Sequence, residues 1–180
     1  MAEGRAGETD HPGGWPEPGG RGRSVQWLAD YVYGTISTLV AIAGLTFETN
    51  PGALTTAGVV VVGAVAIWLA HTLSRVVLLH SWHSLQLKAV DVVDDLRGSW
   101  SIVSAAIPAT LIFVLAGAHL WTVQTAFALA ETIGVLALAV VGIGTTAGSG
   151  RSRLQRALYV VGLVSVGVAI VLFELLFHLL

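Results

Sequence analysis

Five long apolar blocks follow one another along the chain, separated by short polar or turn-forming stretches. They run from about residues 25 to 47, 54 to 79, 100 to 121, 123 to 147 and 154 to 180. Each is close to the roughly 20 residues that a helix needs to cross the hydrocarbon core of a bilayer. The backbone of a spanning segment has to satisfy its own hydrogen bonds, and the short alternating segments of a membrane β-barrel are absent from the sequence. The pattern therefore predicts an all-α, polytopic membrane helix bundle with five transmembrane helices.

Two polar regions precede or interrupt these blocks. Residues 1–24 are rich in Gly, Pro and charge and lack apolar periodicity, which is typical of a disordered tail. Residues 80–99 lie between the second and third blocks, and we expect a short amphipathic segment on the membrane surface there. The chain is accordingly divided into a tail over residues 1–24 and a five-helix transmembrane domain over residues 25–180.

The composition agrees with lipid as the solvent of this chain. Hydrophobic residues make up 54% and charged residues 11% of the sequence, whereas soluble domains carry about 25% charged residues. The sequence has no cysteine, which excludes disulfides, thiolate metal sites and cysteine nucleophiles. It has no P-loop, HExxH motif, nucleophile elbow or glycine-rich dinucleotide motif, so we expect no enzyme activity. Nor is the chain basic enough to indicate nucleic-acid binding.

The basic residues predict the topology. They fall before the first block, around the polar stretch after the second block, and between the fourth and fifth blocks. They are Arg5, Arg21, Arg23, Arg75, Lys88, Arg97, Arg151, Arg153 and Arg156. Five spans put all nine on one side, and the positive-inside rule makes that side the cytoplasm. We therefore expect a multi-pass protein of the cell membrane with the N-terminus, the tail and residues 80–99 inside and the C-terminus outside.

Ionisable residues within the apolar blocks are the first candidates for function, because each costs roughly 2.5–3.5 kcal/mol on insertion scales. By the predicted topology, Asp30 and Tyr33 on the first helix lie in the inner half of the membrane. His71 and Arg75 on the second helix lie there too, so the four side chains can meet. One interpretation is a transport pathway. The alternative is an Asp30–Arg75 ion pair with no transport role.

A second group lies at an outer level. Glu131 and Glu174 belong to the fourth and fifth helices, and His119 and His178 lie nearer the outer surface. One interpretation is a carboxylate–imidazole cluster that holds a proton or a divalent ion, since these ligands suit Fe, Mn or Zn. The alternative is that the histidines are solvated helix ends and the glutamates are neutral or hydrogen-bonded. Glu131 is the hardest to explain in that way, because its block is otherwise apolar.

The polar stretch itself contains a weak candidate metal site. Spacings of three and four residues place side chains on one helical face. The residues concerned are His80, His83, Asp91, Asp94 and Asp95. The alternative is a solvated amphipathic helix on the membrane surface.

Small residues recur in the predicted spans, which favours close helix packing and an oligomer, with a homodimer as the preferred form. The same residues are equally compatible with packing inside one chain. The glycines concerned are Gly34, Gly44, Gly58, Gly63, Gly134, Gly142, Gly162 and Gly167.

Two resemblances rest on particular motifs. The segments YVYGTISTLVAIAGL and AIWLAHTLSRV and the proline-bearing third block resemble a group of small actinobacterial membrane proteins. The layout is distantly similar to the vacuolar iron transporter family, which has five spans and a metal-gathering domain between helices two and three. The first motif of that family matches at Gly34 and at residues 43–45. The family's transport aspartate is replaced by Tyr33, its second-motif methionine by His71 and its glutamate by Arg75.

Three functional hypotheses remain open. The resemblance implies a divergent transporter of a divalent transition metal of the Fe or Mn type, coupled to protons, with the metal as substrate and not as a resident cofactor. The replaced motif residues favour instead a non-transporting assembly or stress-associated membrane protein. The glutamates favour a proton or small-ion pathway. If His71 and Glu131 lie in separate packed clusters, one shared ion path is untenable.

Overall fold

A computed structural model of the chain describes residues 20–48, 51–82, 96–146 and 152–179. Five α-helices make up the bundle: α1 Gly20–Leu45, α2 Ala53–Trp82, α3 Trp100–Gly117, α4 Val123–Thr146 and α5 Arg153–Leu179. All five are long and apolar enough to cross a membrane, and the described residues contain no strand. The prediction of an all-α bundle with five candidate spans is therefore confirmed. Below, the inner end is the end where α1, α3 and α5 begin, and the outer end is where they finish.

Two helices extend further than the apolar blocks predict. α1 begins at Gly20, so the last five residues of the expected tail belong to a helix. α2 continues to Trp82 and takes in the start of the polar stretch. Helical geometry does not stop where hydropathy does, because residues beyond the hydrocarbon core can extend a helix into water. Residues 1–19 and 83–95, where the rest of the tail and of the amphipathic segment were expected, lie outside the described residues.

The helices are not equivalent in the bundle. α1 packs against all four others, and α3 packs against α1, α2 and α4. α5 packs mainly against α4 and α1, and 6% of its apolar stretch is buried, against 50% for α3. α1 and α3 thus form the centre, whereas α5 lies at the edge.

Small side chains bring α2 and α3 together. Ala57 and Ala64 on α2 and Ala109 and Ala116 on α3 are buried in one core cluster. In lipid the hydrophobic effect does not drive helices together, so close van der Waals contact of this kind stabilises the pair.

Glycine allows the closest approach, where α1 crosses α3. A Cβ atom added to Gly34 would lie 2.5 Å from the carbonyl oxygen of Ile102. Because that neighbour is backbone and not a flexible side chain, only glycine fits there. Four of the eight predicted packing glycines have neighbours within contact distance, namely Gly34, Gly134, Gly142 and Gly167, while the other four face open space.

Candidate functional site

The inner cluster comprises Asp30, Tyr33, His71 and Arg75, and the structure brings its members together between α1 and α2. Asp30 is buried, with 7% of its surface exposed, and its Oδ1 lies 3.5 Å from Nε2 of His71. The ring of Tyr33 lies against the His71 imidazole, with 5.9 Å between their centroids. A carboxylate inside a span is costly without a polar neighbour, and the imidazole of His71 lies beside it here.

Arg75 lies one turn further towards the inner end of α2. When the Gln26 amide is oriented to suit its neighbours, its oxygen accepts hydrogen bonds from the Arg75 guanidinium. Gln26 lies one turn before Asp30 on α1, so both α1 side chains face α2. The structure thus presents two α1–α2 contacts in succession: Asp30 with His71, and Gln26 with Arg75.

An outer pocket of about 540 Å³ opens at the other end of the bundle. Its walls come from the end of α1, the loop to α2, the start of α4 and the end of α5. They are formed by Thr46, Glu48, Pro51, Thr122, Val123, Gln124, Phe127, Ala128, Glu131 and Glu174. The pocket therefore combines three carboxyl groups with hydroxyl and amide groups at the outer ends of α1, α4 and α5.

Glu131 and Glu174 meet in this pocket. Their side chains are in hydrogen-bonding contact, and both are partly buried. Two ionised carboxylates at such close range would repel each other, which favours an arrangement with fewer negative charges. The pair is the arrangement by which two carboxyl groups share one proton at close range.

Packing on one face of α4 positions the carboxyl group of Glu131. Phe127, one turn before Glu131, packs edge-on against Phe113 with 4.9 Å between ring centroids. Gly134, one turn after Glu131, lies against the side chain of Leu39. Residues at these spacings share a face, so Glu131 faces the interior of the bundle. At the start of α4, the Thr122 hydroxyl accepts a hydrogen bond from the backbone N–H of Thr125 at 3.2 Å.

A packed apolar layer separates the inner cluster from the outer pocket. Leu39 and Leu138 are almost completely buried in it. Asp30 lies nine residues inward of Leu39, and Glu131 three residues outward of Gly134, which puts about 18 Å of helix rise between the two carboxyl groups. Among the described residues, the cavity next to this layer measures about 10 Å³, room for roughly one water. His71 and Glu131 therefore lie in separate clusters, and no open path joins them through the described part of the bundle.

His119 has a structural explanation. It lies outside the outer pocket, in the turn after α3, with a φ of 62°. Its N–H donates to Ala116 O, and the N–H of Leu120 donates to Leu115 O, at 3.0 and 3.2 Å. These are the two bonds of a Schellman cap, in which the left-handed residue is usually glycine. The interpretation of His119 as a helix end thus accounts for its position.

Most of the predicted metal ligands lie in parts of the chain that the structure does not describe. His83, Asp91, Asp94 and Asp95 lie outside the described residues, and the side chains of His80 and His178 do as well. Among the side chains that are described, no group of three His, Asp or Glu residues is arranged to hold a metal ion. The metal site around residues 80–95 stays a prediction.

Sequence reasoning missed two contributors to these sites. Gln26 contacts Arg75 but is neutral, so the search for ionisable residues passed over it. Glu48 follows the first apolar block and was not placed in a site, although it lines the outer pocket. Its position beside the α1–α2 turn was the available signal, because the predicted topology puts that turn next to the ends of α3 and α5.

Comparisons of the chain with protein-family models, with curated proteins and with solved structures find no match. The resemblance to vacuolar iron transporters therefore rests on the motif residues quoted above, and the functional argument rests on the geometry of the two clusters.

Proposed function

We propose that this protein carries protons, or exchanges protons for a small cation, across a membrane, with Glu131 and Glu174 as its outer binding site. The observation that carries the proposal is the hydrogen-bonding contact between these two carboxyl groups at the wall of the outer pocket. Two acidic residues from different helices, within apolar spans, are costly to retain without a use.

The chemistry of the pair suits reversible binding. One shared proton leaves the pair with a single negative charge, and loss of that proton leaves two carboxylates that repel each other. A small cation that enters from the pocket relieves this repulsion as a proton does. The pocket is wide enough to hydrate such a cation, which keeps the exchange reversible.

Within the described residues, the separate clusters exclude one open ion path shared by His71 and Glu131, so the proposal requires stepwise transfer in which the inner cluster supplies a second site. Asp30 with His71 offers a carboxylate and an imidazole, the side chain best suited to gain and lose protons near neutral pH. Since about 18 Å and the Leu39 layer separate the two sites, transfer between them requires this layer to move. Gly134 and Gly167, which both contact Leu39, are the places where such a movement meets the least side-chain bulk.

The proposal includes an orientation and an assembly. The distribution of all nine Lys and Arg supports a cytoplasmic N-terminus, an external C-terminus and residence in the cell membrane. The four glycines that face open space support a homodimer, since small residues permit close approach of a second helix.

Flux in proteoliposomes tests the proposal. Purified protein in vesicles containing a pH-sensitive dye is expected to dissipate an imposed proton gradient. Glu131→Gln and Glu174→Gln should each reduce the rate at least about tenfold, because a neutral amide cannot release a proton. His119→Asn is the matched control, since it changes a titratable group at the same end of the bundle but outside the pocket.

The outcomes separate the hypotheses. Wild-type vesicles without proton flux, or glutamine variants with the wild-type rate, would overturn the proposal. Adding Mn²⁺ or Fe²⁺ to the same vesicles tests the alternative hypothesis of transition-metal transport. Metal uptake that does not depend on Glu131 would favour that alternative, with the predicted ligands at residues 80–95 as its site.

A further inference from the structure

A second cavity lies between α4 and α5, at the inner end and far from the outer pocket. It is an open groove of about 440 Å³. It is lined by Ile143, Thr146, Arg156, Ala157, Val160 and Val161. The proposed pathway uses none of these residues, so the groove needs an explanation of its own.

Arg156 is the polar feature of this groove. The side chain is partly buried, and its Nε is enclosed with no hydrogen-bond acceptor among the described residues. A buried guanidinium N–H without an acceptor is costly, and Arg has no neutral form in which to avoid that cost. A ligand in the groove with a hydrogen-bond acceptor would satisfy this N–H, and the charge of Arg156 favours an anion.

The remaining walls are apolar or already satisfied. Ile143, Val160 and Val161 present aliphatic surface, and Val160 lies close to Gly142, where α4 and α5 approach each other. The hydroxyl of Thr146 lies within 3.0 Å of the carbonyl oxygens of Gly142 and Ile143, so its proton is used within α4. A ligand that fits these walls has an anionic head and an apolar body.

We propose that this groove binds an anionic phospholipid, with the phosphate on Arg156 and the start of an acyl chain along Val160 and Val161. Both helices around the groove are candidate spans, so lipid surrounds this face at high local concentration. Basic pockets between helices at the inner membrane surface suit phospholipid head groups of this kind. The site also supplies packing to α5, of whose apolar stretch 6% is buried inside the protein.

The choice of a lipid over a soluble anion follows from the walls. A free phosphate ion would satisfy Arg156 but would leave the aliphatic side of the groove unfilled. A phospholipid satisfies both at once, and a zwitterionic lipid does so less well because its ammonium group faces the guanidinium.

Native mass spectrometry of the full-length protein tests this proposal. The protein is reconstituted with equal amounts of phosphatidylglycerol and phosphatidylcholine, and the retained lipid is counted after mild release. We expect the wild type to retain phosphatidylglycerol at least about tenfold more than phosphatidylcholine, as one charge-assisted hydrogen bond provides. Arg156→Gln should abolish this preference, and Arg156→Lys should keep part of it.

Arg153→Gln is the matched control. It removes the same charge three residues away, where the side chain is exposed and does not line the groove. Retained preference in Arg153→Gln together with its loss in Arg156→Gln would support the groove. Equal loss in both variants would mean diffuse surface charge and would overturn the proposal.

Two further measurements keep the proposal testable if Arg156→Gln folds poorly. Ala157→Leu fills the groove and leaves Arg156 in place, so it should also reduce phosphatidylglycerol retention, whereas retention at the wild-type level would count against the groove. Inorganic phosphate at millimolar concentration should not displace the lipid. Displacement would show that the occupant is a soluble phosphate and would overturn the assignment to lipid.

Discussion

The helices α3 and α5 both contain a long apolar stretch, and that of α5 has the higher mean hydropathy, yet half of the stretch of α3 is buried against 6% of that of α5. The difference lies in side-chain size. Four of the eight buried residues of α3 are alanines, such as Ala105, Ala109 and Ala116, and they let α1 and α2 approach closely. α5 presents large exposed residues instead, such as Leu172 and Phe173.

Hydropathy thus measures transfer into the membrane and not burial inside the protein. Lipid tails are as apolar as a leucine side chain, so an exposed face and a packed face of a spanning helix look alike to a hydropathy scale. Small residues with neighbours in contact distance mark the packed face of a helix. Polar side chains on that face mark the candidate functional sites.

The largest expected effect comes from a matched pair of phenylalanines. Phe113 on α3 is completely buried, whereas Phe173 on α5 is 61% exposed. Phe113→Ala should lower the free energy of unfolding by about 3–5 kcal/mol, because it removes the Phe127 contact and leaves a cavity. Phe173→Ala should cost less than about 1 kcal/mol, since lipid fills the space. Titration with SDS in mixed micelles, followed by circular dichroism, measures both values. Similar losses would refute the division into a central and a peripheral helix.

A pair of glycines gives the next largest effect. Gly34→Ala places a methyl group against the backbone of Ile102, so α1 and α3 must separate, at a cost of about 1–3 kcal/mol. Gly162→Ala on α5 meets open space within one chain and should leave the stability of the monomer within about 0.5 kcal/mol of the wild type. The same SDS titration compares them. A destabilised Gly162→Ala would point to a helix contact on that face, for which the proposed dimer is the first explanation.

The inner and outer carboxyl sites should also differ in how much each contributes to the stability of the protein. Asp30→Asn weakens a buried contact with His71, and we expect a loss of about 1–3 kcal/mol of stability. In Glu131→Gln the amide donates to Glu174 in place of the shared proton, so the loss should stay below about 1 kcal/mol while proton flux falls. Unfolding and flux measured on the same preparations sharpen the comparison: both variants should reduce proton flux, and Asp30→Asn should lower stability more than Glu131→Gln does. Equal losses of stability would remove this distinction.

The smallest effect should have the opposite sign. His119→Gly replaces a strained left-handed residue by the one that favours this conformation, so stability should rise by about 1 kcal/mol. The stability of His119→Asn should lie between that of the wild type and that of His119→Gly. Thermal unfolding in detergent measures the difference. A decrease for glycine would mean that the imidazole makes a stabilising contact in the outer loop.

The sequence was sufficient for the number of spans and for the depth of the polar residues. Counting along alternating helices put Asp30 and His71 at one level and Glu131 and Glu174 at another, and each pair does meet. The depth of a side chain in the membrane is predictable, because a helix rises 1.5 Å per residue and the ends of each apolar block can be located in the sequence.

The direction in which each side chain faces was not predictable in the same way. Val60 is 2% exposed and Val62 is 69% exposed, although they are the same residue type two positions apart on α2. Gly34 and Gly58 also look alike in sequence, yet one lies against α3 and the other meets open space. The groove at Arg156 could not be predicted either, because it depends on the distance between α4 and α5, and the hydrophobic periodicity of the sequence does not determine that distance.

The pairing of Asp30 with His71 also constrains how the protein is made. α1 precedes α2 in synthesis, so on its own it would enter the bilayer with a carboxylate and no imidazole beside it. An unpartnered Asp costs up to roughly 2.5–3.5 kcal/mol in a span, which makes the insertion of α1 alone less favourable. Once α2 follows, His71 offsets much of that cost. The first two helices should therefore enter the membrane as a pair, and the later helices then assemble around α1.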